Sequence, residues 1–264
     1  YSMKKYQVQL QAAFSSFTTM LEQEFADFDY HIMVVDAGGN ALLNNCYDCY
    51  MCAWCQGPGC TQFDGPPDYP CNEETSDCDV IEGSGVTITG NFNASNQRCE
   101  LFGGNRYIIK GEPDLAEKFK CIASLGEGPK VPVAMEVMMA ALEPDMLGGG
   151  CNDGFLRNDA LLAVIVLNGN QDNLSPGTPQ SWYDTLVAAK KGNEEAVVVL
   201  TVSNDLDLPN PTCPGNVAGP NPLRLFAEAA KYGRYERFCI DSYVPALEAT
   251  AETILEQCSV FVPQ

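Results

Sequence analysis

The sequence predicts an α/β fold, a mainly parallel sheet covered by helices on both faces. Leu161–Leu167 (LLAVIVL) is an uninterrupted apolar run and Ala196–Val202 (AVVVLTV) a second apolar run, as strands buried on both faces require. A proline-marked helical stretch lies between them, so the three pieces read as one βαβ unit. The polar cluster Asn168-Gly-Asn-Gln-Asp172 follows the first run directly. Open parallel sheets bind ligands just past the carboxyl ends of their strands, which makes this cluster the leading functional clue.

The remaining elements follow in order. Leu10, Phe14, Phe17, Leu21, Phe25 and Phe28 recur at gaps of three and four and predict a long first helix with one apolar face. Tyr30–Val35 predicts a buried strand, closed by the turn cluster Asp36-Ala-Gly-Gly-Asn40. From about Ala41 to Ser84 no period is visible, and this stretch, with seven cysteines among Gly, Pro and Asp, reads as a disulfide-laced insertion. Short β segments are expected around Val86–Thr89 and Arg106–Ile109, a helix from Pro113 to Cys121, and a Met-rich helix over about Pro132–Leu142. Beyond the βαβ unit come a loop (Asn204–Pro222), a helix (Leu223–Tyr232), a short strand (Arg237–Ile240) and a helix (Val244–Gln257). Val260-Phe-Val is expected as a closing edge strand. No internal repeat is visible. The expectation is one domain over residues 1–264, a three-layer α/β/α sandwich with the 41–84 insertion.

Composition narrows the function. Fifteen basic against 35 acidic residues give a net charge of −20. Such a field repels phosphate backbones and anionic lipid, which disfavours nucleic-acid and membrane-surface roles. The acidity is dispersed, as on a solvated surface, or else gathers locally to hold a divalent cation. No apolar stretch reaches the length of a membrane span, so no direct membrane insertion is expected. Thirteen cysteines point to an oxidising compartment, and hence to an exported protein at the cell surface or beyond it. An odd count leaves one thiol free or bonded outside the chain.

Cys46, Cys49, Cys52 and Cys55 are each three residues apart. A bacterial iron–sulfur run ends in a three-residue gap and a proline, both missing here. Two C-x2-C pairs this close also strain the tetrahedral closure a zinc site needs. Disulfides are therefore the favoured reading, with Cys60, Cys71 and Cys78 close by, and an iron–sulfur or zinc module is the lesser alternative. Cys99, Cys121, Cys151, Cys213, Cys239 and Cys258 read as staples of the main domain. Spacing does not give their connectivity.

No catalytic set can be assembled. His31 is the sole histidine and opens a buried strand, where a packed imidazole is the expected role. Gly148-Gly-Gly lacks the following Lys-Ser/Thr of a phosphate loop. Met135, Met138 and Met139 have the spacing of core filling. Asp205 and Asp207 follow a strand and read as a solvated turn.

Several segments, in order, resemble a von Willebrand factor type A domain of the exported, cysteine-rich kind found in bacterial surface proteins. They are Asn105–Ile109 with Glu112–Ala123, Gly154–Val164, Ser175-Pro-Gly with Trp182-Tyr183, and Phe238–Tyr243. The resemblance implies a non-enzymatic adhesion or binding domain with Mg²⁺ or Ca²⁺ at the carboxyl end of the sheet. By position, Ser2 would supply one ligand, the Ser124–Val133 loop with Glu127 a second, and Asn168 with Asp172 the last. Asn168 stands where the family has Asp, and the loop lacks the family's Thr, so a working and an abandoned metal site remain equal alternatives. The resemblance also implies that the family's central first strand lies upstream of Tyr1. An upstream segment or a second chain would supply it. The expected partner is a protein ligand, or like subunits if the chain is a structural component of an extracellular assembly.

Overall fold

The computed structural model describes residues 4–38, 70, 73–91, 93–126, 132–216 and 219–261, with backbone alone for 4–8, 10 and 11. The chain opens with α1 (Lys4–Glu24), followed by β1 (His31–Ile32), β2 (Ile108–Ile109) and α2 (Leu115–Ala123). Then come α3 (Ala134–Ala141), α4 (Pro144–Leu147), β3 (Leu162–Asn168), α5 (Pro179–Ala189) and β4 (Val197–Ser203). The last elements are α6 (Pro222–Ala229), β5 (Tyr232–Arg237) and α7 (Val244–Val260). The protein is thus mixed α/β, with a parallel three-stranded sheet in the order β3-β4-β5 and an antiparallel pair β1-β2.

β4 is the centre of the parallel sheet, and all seven of its residues are buried. It pairs with β3 from Leu162↔Val197 to Asn168↔Ser203, and with β5 from Val198↔Tyr232 to Ser203↔Arg237. Its apolar side chains serve two cores. Val197 and Val199, with Leu162 and Val166, pack against Met135, Trp182, Leu186, Leu223 and Phe226 of α3, α5 and α6. Leu200 and Val202, with Ile165 and Leu167, meet Ala13 and Phe17 of α1 and Ala246 and Leu247 of α7. A strand apolar on both faces is stable only when both are covered, and here they are.

Local chemistry sets the helix starts. Thr178 Oγ1 accepts the Ser181 N–H and the Thr178 N–H donates to Ser181 Oγ in return, with Pro179 in the first turn of α5. Asn221 does the same service for α6 through the Leu223 N–H. Gly233 of β5 lies so close to α6 that a Cβ there would stand 1.7 Å from the Ala227 carbonyl oxygen.

The β1 segment runs in the same direction as β3. At its start, Asp29 pairs with Arg157 and His31 Nδ1 bonds the Phe155 carbonyl at 2.9 Å, both in the stretch leading into β3. At its end, the Ala37 carbonyl accepts the Val133 N–H at 2.8 Å, just before α3. The start of α3 is in turn held by Asp172 and Ser175, in the stretch leaving β3. α1 spans both parts, contributing Ala13 and Phe17 to the β3-β4 core and Phe14, Leu21 and Phe25 to the β1-β2 core. Yet among the described residues no ladder joins β1 to β3.

Among the described residues three disulfides brace the fold: Cys78–Cys151, Cys99–Cys121 and Cys213–Cys239. Such bonds form and persist in an oxidising compartment. Asp79, beside Cys78, is buried against Arg98 and Arg106, which anchors the described end of the 41–84 stretch to the body. Asn152, fully buried, accepts the Gly85 N–H and donates to the carbonyls of Gly83 and Ala141.

Several sequence expectations need correction. Val260 ends α7 and belongs to no edge strand. The strand expected at Arg237–Ile240 is β5, five residues earlier at its start, and it displaces the expected end of the helix before it. Around Val86–Thr89 there is a single bridge, Ile88↔Arg98, and β1 itself pairs over only two residues. Cys258 is no staple; it is a free, half-buried thiol whose pKa burial pushes up.

Candidate binding face at the carboxyl end of the sheet

Where β3, β4 and β5 end, the core turns from apolar to polar. Asn168 and Ser203 are paired in register and both are buried. Asn168 Oδ1 accepts the Asn170 N–H at 3.1 Å, closing the turn out of β3. Its Nδ2 is buried and has no hydrogen-bond partner among the described residues, and the same holds for Thr201 Oγ1 and Asp207 Oδ1.

Asn221 is the hub of this layer. Its Nδ2 donates to Ser203 Oγ at 2.8 Å and to the Asn204 carbonyl at 2.6 Å, while its own N–H reaches Asp207 Oδ2 at 2.8 Å. Its Oδ1 caps α6 through the Leu223 N–H. Asn204 reaches across to the Gly169 carbonyl, and Tyr235 donates to the carbonyls of Ser203 and Asn204. A buried polar group without a partner costs free energy, and this mutual satisfaction makes a polar layer tolerable at the end of a sheet.

Each carboxylate here is engaged through at least one oxygen, Asp207 through Oδ2. Asp205 accepts from Thr212 Oγ1, from the backbone N–H groups of Thr212 and Cys213, and from Arg237 at 3.1 Å. Burial works against its ionisation, but those backbone and hydroxyl donors prevail and lower its pKa. Asp207 is likewise held below the usual carboxylate range, burial being outweighed by Arg224 at 2.6 Å and the Asn221 N–H. Tyr235 moves the other way, its pKa raised by burial and then by Asp205 and Asp207. Cys213–Cys239 ties the loop after β4 to the residues after β5.

Asp172 has a different task from the one its sequence position suggests. Its Oδ1 accepts the Ser175 N–H at 3.0 Å; its Oδ2 accepts Ser175 Oγ at 2.8 Å and the Met135 N–H at 2.9 Å. Ser175 Oγ accepts the Glu136 N–H in turn. Asp172 and Ser175 together therefore cap α3, which has no side-chain cap of its own.

Of the four residues expected to hold a cation, Ser2 and Glu127 lie outside the described residues. Asn168 and Asp172 share the turn after β3, but both direct their oxygens at N–H and O–H donors. As arranged, this pair does not fit a hard cation, which needs those lone pairs. No group of three or more His, Cys, Asp or Glu among the described residues is placed to hold a metal. Cys46, Cys49, Cys52, Cys55, Cys60 and Cys71 also lie outside the described residues. His31 is far from this face in the fold, bonded to Phe155 and stacked on Tyr107 with ring centroids 4.7 Å apart. Sequence reading missed Asn221 and Asn204; their signal was an Asn-Pro helix start at 221 and a Ser-Asn pair directly after an apolar run.

No protein-family model matches the chain, and no curated protein or solved structure is significantly similar to it. No helix among the described residues is long and apolar enough to cross a membrane.

Proposed function

We propose that this chain is a non-enzymatic, exported binding domain of the von Willebrand factor A kind, in which a three-layer α/β/α sandwich presents a protein ligand to the carboxyl-end face. The observation that carries the reading is the outer edge of β3. Edge strands in soluble proteins are blunted by charge, proline or shortness. β5 obeys this rule: it reads YGRYER and is mostly exposed or half-buried. β3 reads LAVIVLN, seven residues without a charge, and among the described residues it is bonded on one side only. β1 is tied at its start to the stretch leading into β3 and at its end to the start of α3, both share α1, and among the described residues no ladder joins the two strands. One further parallel strand between them completes a continuous sheet.

That strand comes from another segment of the polypeptide or from a neighbouring chain. The second source gives the alternative role, a structural subunit of an extracellular assembly. Recognition at the face proceeds by direct contact, because Asp172 and Asp205 spend both carboxylate oxygens on donors within the fold and Asp207 is paired with Arg224. Amide hydrogen exchange on the protein in its native assembly tests the reading. Protection of every amide along β3, on both sides of the strand, is the expected result. Fast exchange at alternate β3 amides, those facing away from β4, would overturn it.

A further inference from the structure

We propose that a pocket at the amino end of the parallel sheet binds a small carboxylate, whose charged head meets Lys190 and whose apolar tail lies beside Phe261. The pocket has a volume of about 210 Å³ and is lined by Asn158, Lys190, Lys191, Asn193, Ala196 and Phe261, all of them described residues. It lies at the opposite end of the strands from the polar layer: Asn158 precedes β3, Asn193 and Ala196 precede β4, and Phe261 follows α7. Lys190, directly after α5, is only 4% exposed. Its Nζ donates to the Arg157 carbonyl, the peptide group that leads into Asn158, so the ammonium sits on the Asn158 side of the pocket. An ammonium has three N–H groups to donate. Among the described residues that carbonyl is its acceptor, and no carboxylate lies within ion-pair distance.

A buried charge is costly unless it is paired and hydrogen-bonded, so this ammonium calls for an anion. Its surroundings are cationic although the chain carries a net charge of −20. Burial lowers the Lys190 pKa; Asp159 opposes that shift, and the nearby charges of Arg157 and Lys191 add to it. Arg157 is itself paired with Asp29. Neutral donors stand beside the cations. Asn193 Oδ1 accepts the Glu195 N–H, which leaves Nδ2 to donate, and the Asn158 side chain makes no hydrogen bond among the described residues. A carboxylate accepts from an ammonium and from carboxamides at once. Phe261 gives the pocket an apolar wall, which suits a carboxylate with a short tail better than a phosphate charged on every side. The size agrees, being below the roughly 300–1,000 Å³ of sites for drug-sized ligands.

Titration of the isotope-labelled protein with butyrate, followed through the backbone amide shifts of Lys190, Lys191 and Asn193, tests this. The expected result is a saturable shift with a dissociation constant of about 1 mM, as so small a ligand gives. Butyramide, which lacks the charge, and inorganic phosphate, which lacks the tail, should each bind at least ~10-fold more weakly. Lys190→Met keeps the length of the side chain and abolishes the shift. Lys191→Gly, at a backbone φ of 55° that glycine adopts without strain, keeps the fold and weakens binding about 3-fold through the lost charge. Lys110→Met, at an exposed lysine just after β2, leaves binding unchanged. No saturable shift up to about 50 mM butyrate overturns the proposal. Butyramide or phosphate binding as tightly as butyrate also overturns it, as does unchanged binding in either Lys190→Met or Lys191→Gly.

Discussion

Asp172 caps a helix that begins well before it in the chain: its Oδ2 accepts the Met135 N–H at 2.9 Å across a separation of 37 residues. The loop leaving β3 and the start of α3 are thereby one structural unit, with Ser175 closing the second bond to Glu136. Asp172→Ala should destabilise the protein by about 1–2 kcal/mol, the range of a lost helix cap. Asp172→Asn should recover part of this, since an amide oxygen still accepts. Urea denaturation of the two variants checks the order; equal losses would remove the capping role.

Asp79 makes stability depend on acid. Burial opposes its ionisation, but the Ser76 N–H and the guanidiniums of Arg106 and Arg98 outweigh burial and hold its pKa at about 2, against 3.8 for an unperturbed group. A folded value below the unfolded one gives stabilisation that is complete above the unfolded pKa. That contribution is lost as the pH falls from 3.8 through about 2. Asp79→Asn should cost on the order of 2–3 kcal/mol at neutral pH, having left two guanidiniums without their shared partner. The gap from the parent should shrink near pH 2, as urea midpoints at both pH values will show.

Gly233 is required by proximity. With the Ala227 carbonyl oxygen 1.7 Å from any Cβ placed there, Gly233→Ala forces α6 away from β5. A loss of about 3 kcal/mol is expected, at the upper end for overpacking. Thermal unfolding measures it, and a variant as stable as the parent would show that this packing yields freely.

The Cys213–Cys239 bond closes a loop of 26 residues. Replacing both cysteines by serine should cost about 3 kcal/mol on the chain-entropy scale. The cut sites of limited proteolysis should then appear first between Leu208 and Asn216, the loop that Asp205 and this disulfide hold in place. Cleavage elsewhere would place the weak point outside this loop.

The sequence was legible where both faces of an element are buried. LLAVIVL and AVVVLTV, short and rich in β-branched residues, read as buried strands, and α1 and α3 show their apolar faces at helical spacing. It misled where exposure removes the pattern. YGRYER carries charges on an edge strand and gives no alternation, so β5 was placed too late. Val260 and Phe261, apolar and near the end, suggested a strand although helix α7 continues through Val260. Asp172 was legible as a special position but not as a cap, because the Met135 N–H it caps lies 37 residues away and a hydrogen bond of that span leaves no local trace. The same applies to Cys78 and Cys151, separated by 73 residues.

The central claim, that β3 is an interior strand of a larger sheet, is tested most directly by proline substitution at two adjacent β3 positions, Val164 and Ile165, in the protein as natively assembled. Successive N–H groups point to opposite sides of a strand, and proline is tolerated only where the N–H faces no partner. The account predicts that both Val164→Pro and Ile165→Pro destabilise severely, by about 3 kcal/mol or more each. If one of the two leaves stability nearly unchanged, β3 is a free edge and the sheet ends there.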